Sequence, residues 1–294
     1  MRGYALRAAA PVGPVVGLAF AAIVLGAACA GIGAAAAGAA GAVVGVLVAV
    51  ALAAAACAYC DRMALSAAAA RPVSEVEHPD LYRLVRELSK DGRLPVPRLY
   101  LSPAEQPNSF AVGRGPRTAV ICCTEGLLRI LDDAELRGVL GHELAHVSGR
   151  DILASSVSAG LARIITFPAA VGRLVPGRGG AAGGPRAVEA PLMLVFGPIA
   201  AMVVRLAVTQ SREYRADAAG ALLAGDPVAL ANALRKIDFR AAQLPLAPDG
   251  RLTSVGHLMI VSPFRADGIA RLFATHPPTG ERVRRLEALA GYRR

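Results

Sequence analysis

The sequence predicts an α+β fold, mostly helical, with about four transmembrane or membrane-associated helices arranged as two hairpins. Three observations predict it. No charged residue occurs between Ala8 and Cys60. A second apolar region, residues 152–208, interrupts the remainder. Around it, helix-period and strand-period patterns alternate with Pro and Gly breaks. With 54% hydrophobic residues in 294, the chain exceeds the roughly 45–50% usual for soluble domains, so a membrane protein is the first expectation.

As a helix, Ala8–Cys60 would run about 80 Å, against about 30 Å of bilayer hydrocarbon. Two spans joined by the glycine-rich "AGIGAAAAGAAG" fit that length, and Gly and Ala suit close helix contact in lipid. A cleaved signal peptide competes, since Arg2 and Arg7 precede the run, but the run is too long and a second follows without a soluble interval. A lipoprotein signal ending at Cys29 fails on the spacing of Leu25. Arg2, Arg7, Arg62 and Arg71 bracket the first hairpin, whose turn carries no charge, so both ends face the cytoplasm by the positive-inside rule.

Four segments follow: 1–60, the N-terminal transmembrane hairpin; 61–151, the first part of a cytoplasmic domain; 152–208, a second apolar hairpin; and 209–294, the second part. In 61–151, Leu81, Leu84, Val85 and Leu88 have helical spacing before Gly92, and "PRLYLS", "NSFAVG" and "TAVICCT" read as short strands. The helix "DDAELRGVLGHELAHVSG" has Asp132 as N-cap, Glu135 three residues on and Gly149 at its stop. In 152–208, Ile152–Leu174 and Ala190–Val208 flank a Gly-rich loop. Arg163 within the first and Arg173, Arg178 and Arg186 near the loop leave a buried hairpin of a soluble core as the rival to membrane insertion. "SREYRADAAGALLAG", "DPVALANALRKIDF" with Asp226 as N-cap and Pro227 at N1, and a stretch after "THPPTG" are helices of the last part.

The formal charge of +10 is almost wholly arginine, with Lys90 and Lys236 the lysines. That reads as solvated helix faces, with Arg282, Arg284 and Arg285 as possible headgroup contacts. Few aromatics and no nucleic-acid module exclude a nucleic-acid partner. Five cysteines make no disulfide framework. Cys122 and Cys123 adjoin in a strand and so face opposite sides, and Cys57 and Cys60 lie in an apolar run.

The stretch "VLGHELAHVSGRD" carries the chemistry. Four residues of helix put His142 and His146 on one face a turn apart, able to reach one Zn²⁺, with Glu143 beside them. A chance pair on an ordinary helix is the bland alternative, weakened by the scarcity of histidine, five in the chain. A catalytic zinc takes a third protein ligand. Candidates downstream are His257, His276 and the carboxylates. Glu213 is favoured because it lies about as far after the second apolar region as His146 lies before it, so a hairpin returns it to their side. Asp217, a turn on, is placed to orient a ligating histidine.

With "PNSFAVG" at 107–113, "GHELAH" at 141–146, "SREYRADAAG" at 211–220 and "THPPTGERVRRL" at 275–286, nearly the whole chain resembles the HtpX family of membrane zinc endopeptidases, related to the CAAX prenyl endopeptidases. The resemblance implies a gluzincin-like domain, His142, His146 and Glu213 as ligands of one Zn²⁺, and Glu143 as general base. Asp217, Asn108, His276 and Arg282 match further motif positions. His276 is a candidate oxyanion donor, and the strand around Asn108 a candidate to pair with an extended substrate. Ser109 departs from the family's usual alanine, a change expected to leave the metal chemistry untouched. Implied too are polypeptide substrates, damaged membrane proteins above all, a stress-linked quality-control role and a multi-pass place in the bacterial plasma membrane with the site in the cytoplasm. The alternatives are a non-proteolytic membrane chaperone or adaptor on the same fold, and a transport or structural protein with Arg163 and Arg205 as pathway charges.

Overall fold

The computed structural model describes residues 12–149, 151–172, 186–246, 252–264, 272 and 276–291. Arg2, Arg7, Arg173 and Arg178 lie outside the described residues.

Helix α1 spans Val12–Ala67 and is interrupted at Ala37 (φ −147°, ψ 30°) and Gly38 (φ +57°, ψ −144°). The left-handed φ suits glycine, which has no Cβ to clash. The chain reverses there. A Cβ on Gly33 would fall 2.0 Å from the Gly41 carbonyl oxygen, and one on Gly45 2.2 Å from that of Cys29. Only glycines allow backbones so close, so the run forms the expected helical pair and extends to Ala67. By length and composition, Ala21–Ala67 can cross a membrane.

The second apolar region is more broken than its composition predicts. Helix α5 (Asp151–Ile165) stops at Thr166, and α6 (Phe167–Gly172) follows. At 15 residues, or about 22 Å, α5 is too short for one full crossing. Helix α7 (Arg186–Ala207) contains Pro191 and Pro198, and it is long and apolar enough to cross a membrane only together with the next helix, across a 52° bend. These helices pack on α1 through Ala21, Ala56, Leu161 and Val203.

The remaining elements form the α+β part. Helix α2 (Pro79–Asp91) buries Leu81, Leu84, Val85 and Leu88, as its spacing predicts. A four-stranded sheet has the order β1-β2-β4-β3: β1 (Arg71–Pro72), β2 (Arg98–Ser102), β3 (Ser109–Val112) and β4 (Val120–Thr124). β2 and β4 are parallel; β1 and β3 run antiparallel to their neighbours. One face, with Leu99, Leu101, Ala111, Ile121 and Cys123, meets α4 (Asp133–Ser148); the other, with Phe110, Val112 and Cys122, meets the end of α1 at Ala64, Leu65 and Ala68. The adjacent cysteines thus serve two cores, and both are reduced. Helices α3 (Glu125–Ile130), α8 (Gln210–Ala224), α9 (Pro227–Gln243) and α10 (Thr279–Leu289) complete the fold. Edge strand β3 therefore lies beside α4, the helix bearing the histidine pair.

Candidate metal centre

Local chemistry sets α4 in place. The Asp132 side chain accepts from the Glu135 N–H at 2.9 Å, and Glu135 accepts from the Asp132 N–H at 3.1 Å, a reciprocal cap that satisfies two otherwise orphaned donors. Helix α8 crosses α4 at a glycine pair. A Cβ on Gly220 would lie 2.5 Å from the His142 nitrogen, and one on Gly141 2.6 Å from the Gly220 carbonyl oxygen. The two helices touch backbone to backbone at the level of the histidines. Glu213 is two turns before the contact, and Asp217 one.

That crossing gathers His142, His146 and Glu213. Their facing atoms are 3.2 Å (His142 Nε2 to His146 Nε2), 3.8 Å (His142 Nε2 to Glu213 Oε2) and 3.6 Å (His146 Nε2 to Glu213 Oε1) apart. Ligand bonds of about 2.0–2.2 Å at tetrahedral angles imply edges of about 3.3–3.6 Å, so this triangle fits one ion. Two imidazole nitrogens turned toward each other and a carboxylate are also the donor set a metal takes; burial pushes the His146 pKa down to about 3, whereas at His142 burial is outweighed by Asp217, which raises it.

Two of the three candidate ligands, His142 and Glu213, are held from behind. His142 Nδ1 lies 2.9 Å from Asp217 Oδ1, a contact that directs Nε2 at the other ligands. Arg282 donates to both Asp217 oxygens, at 2.8 and 2.7 Å, and all three side chains are buried. Burial alone would raise Asp217, but the guanidinium outweighs it and holds the pKa at about 2. His276 Nδ1 is 3.2 Å from Glu213 Oε2. Burial opposes the Glu213 charge, yet His276 and His146 keep that pKa well below the usual range. His276 therefore backs the carboxylate; its Nε2 is buried with no hydrogen-bond partner.

Glu143 is 1% exposed, and burial pushes its pKa up to about 7 against the opposing pull of His142 and Ser109. Ser109 Oγ donates to Glu143 Oε1 at 2.6 Å. At this departure from the family's usual alanine, β3 turns the serine side chain directly toward α4 and Glu143. The small residues Ser109 and Ala111, alternating with Phe110 and Val112, were the available signal of a strand face pressed against a helix.

Asn108 anchors residues 252–264 instead of facing open solvent. Its Nδ2 donates to the Val261 carbonyl at 2.9 Å, and the Ile260 N–H donates to the Ser109 carbonyl at 2.9 Å. Arg282 Nη1 donates to the Ile260 carbonyl. The outer edge of β3 is thus covered at Ser109, and Ala111 is the next outward-facing position. His257, once a candidate ligand, lies outside the triangle: its Nε2 is 3.0 Å from Ser158 Oγ and 3.3 Å from the Ser155 carbonyl. Nothing in the sequence joins those residues across a loop. Arg205, a candidate pathway charge, donates to the Leu272 carbonyl at 2.9 Å.

Three candidate metal donors with a buried carboxylate alongside are the arrangement a metallopeptidase needs, an ion and a proton acceptor within reach of one peptide bond. The sequence model of Peptidase family M48 matches residues 75–290. A Protease HtpX homolog of Kineococcus radiotolerans is 55% identical over 79% of this chain and 80% of its own length. Those of Paenarthrobacter aurescens and Bifidobacterium longum are 52% and 44% identical, over 79% of this chain and 79% and 77% of their own. The chain belongs to peptidase family M48 and groups with the HtpX proteases.

Proposed function

We propose that this protein is a membrane-bound zinc endopeptidase that hydrolyses polypeptides, misfolded or damaged membrane proteins among them, in quality control under stress. The observation that carries the reading is the His142–His146–Glu213 triangle with Glu143 beside it. These three would hold one Zn²⁺, in keeping with their nitrogen and carboxylate donors. Held there, zinc would supply Lewis acidity, to polarise the scissile carbonyl and acidify water. Glu143 takes the proton of the attacking water and returns it to the leaving amine. Asp217, held by Arg282, orients His142; Asn108 holds the substrate-side edge; and His276 is the candidate donor toward the oxyanion.

The division into 1–60, 61–151, 152–208 and 209–294 accompanies this reading, with α5 and α7 as a second membrane-associated hairpin. Supporting it are the packing of both on α1 and exposed apolar side chains such as Phe167, Leu194 and Val195. We place the chain in the bacterial plasma membrane, multi-pass, with the site in the cytoplasm.

The test is proteolysis of an unfolded protein by the full chain purified in detergent, stripped with chelator and then restored with zinc, beside Glu143→Ala. Zinc-restored cleavage absent from the variant is expected. Equal cleavage by both would expose a contaminant. Bound zinc with no cleavage by either would favour the chaperone or adaptor reading.

A further inference from the structure

We propose that Ser109 is a positioning residue for the peptidase reaction: its hydroxyl grips one oxygen of Glu143 and turns the other toward the water to be activated. The inference rests on Glu143 being the general base.

Ser109 is completely buried, and its backbone has no freedom to drift. It lies opposite Cys123 in the β3–β4 ladder. Its N–H donates to Asn108 Oδ1 at 3.2 Å, and its carbonyl accepts from Ile260 at 2.9 Å. The adjacent Asn108 N–H donates to Thr124 Oγ1 at 2.9 Å, and Asn108 Nδ2 to Val261. The hydroxyl is therefore presented from a fixed strand edge. Glu143, by contrast, reaches the site through three rotatable bonds, the last of which is soft. A hydroxyl 2.6 Å from Oε1 locks that rotation. Oε2 is left to receive the proton, and a general base must meet that proton within about 2.6–3.2 Å.

The same hydrogen bond has an opposing effect, because it withdraws negative charge and makes the carboxylate a weaker base. The two effects predict opposite outcomes on deletion. Loss of orientation slows turnover, whereas gain of basicity leaves it equal or faster. The buried, multiply tethered setting of the hydroxyl favours orientation.

The experiment compares the zinc-loaded full chain with Ser109→Ala and Ser109→Thr, measuring kcat, KM and bound zinc on an unfolded polypeptide. With an orienting hydrogen bond to a charged group removed, Ser109→Ala should lose about 10-fold to 100-fold in kcat. KM and zinc content should be unchanged, and Ser109→Thr, which keeps the hydroxyl, should return to within about threefold of the parent. In a Glu143→Gln background, whose neutral amide is no base, removing the hydroxyl should cause no further loss. Undiminished kcat in Ser109→Ala overturns the inference. So does a loss accompanied by missing zinc, or one that persists in full without Glu143. Where the parent cleaves and Ser109→Ala matches it, Ser109 alone is misassigned. Where the parent shows no Glu143-dependent cleavage, the peptidase reading and this one fall together.

Discussion

Glu143 and Glu213 are both buried carboxylates within the same few ångströms, yet their surroundings separate their tasks. Glu213 faces three imidazoles and keeps its charge, whereas Glu143 is pushed toward neutrality by burial with one hydroxyl as partner. Glu213→Ala should therefore lose bound metal, and Glu143→Ala should retain it while losing turnover, as elemental analysis of purified variants would check. Equal retention would remove Glu213 from the ligand set. Arg282 acts at the same scale. It satisfies Asp217, which holds His142, and it donates to the Ile260 carbonyl. Arg282→Ala strands a buried carboxylate, a change that typically costs about 3–5 kcal/mol. We expect a marked fall in melting temperature together with metal binding weakened about 10- to 100-fold. An unchanged melting profile would show the pair to be dispensable.

At the scale of elements, the site depends on one helix crossing. α4 and α8 approach through Gly141 and Gly220, and the candidate ligands His142, His146 and Glu213 lie on these two helices. Gly220→Ala should push the helices apart and weaken metal binding tenfold or more, because its methyl would lie 2.5 Å from backbone. Gly280→Ala, in α10, meets nothing within 4 Å and should leave binding unchanged. A zinc titration of both variants checks the pair, and equal affinities would mean that the crossing adapts. Elements were the level most legible in sequence. Leu81, Leu84, Val85 and Leu88 announce α2, Asp132 and Glu135 announce the start of α4, and Asp226 with Pro227 starts α9. The break at Thr166 did leave a signal, Pro168 two residues on, but the long apolar run of Ile152–Leu174 reads past it.

For the molecule as a whole, the proposed topology places the Ala37–Gly38 turn on the side of the membrane opposite the site. In a background lacking the native cysteines, Ala37→Cys should react with an impermeant thiol reagent applied to intact cells. Val76→Cys, at a position 92% exposed on the peptidase side, should react only after lysis. The reverse pattern would invert the orientation, and reaction of neither before lysis would argue against a crossing hairpin. Cleavage would then proceed close to the bilayer, because the metal helix leads directly into α5, which packs on α1.

The sequence by itself determined the local and the periodic: an apolar hairpin with its turn at glycine, the strands, the capped helix, and the pair His142 and His146, whose spacing is a property of any α-helix. It also pointed to Glu213, through the return of the chain after an apolar excursion. Only the tertiary structure decided what meets across long separations. Ser109 reaches Glu143, Arg282 reaches Asp217, and His276 reaches Glu213 rather than standing free. Periodicity reports which face a residue occupies, but not which other face will be pressed against it. That depends on how closely two backbones can approach, and here glycines at one crossing set that distance.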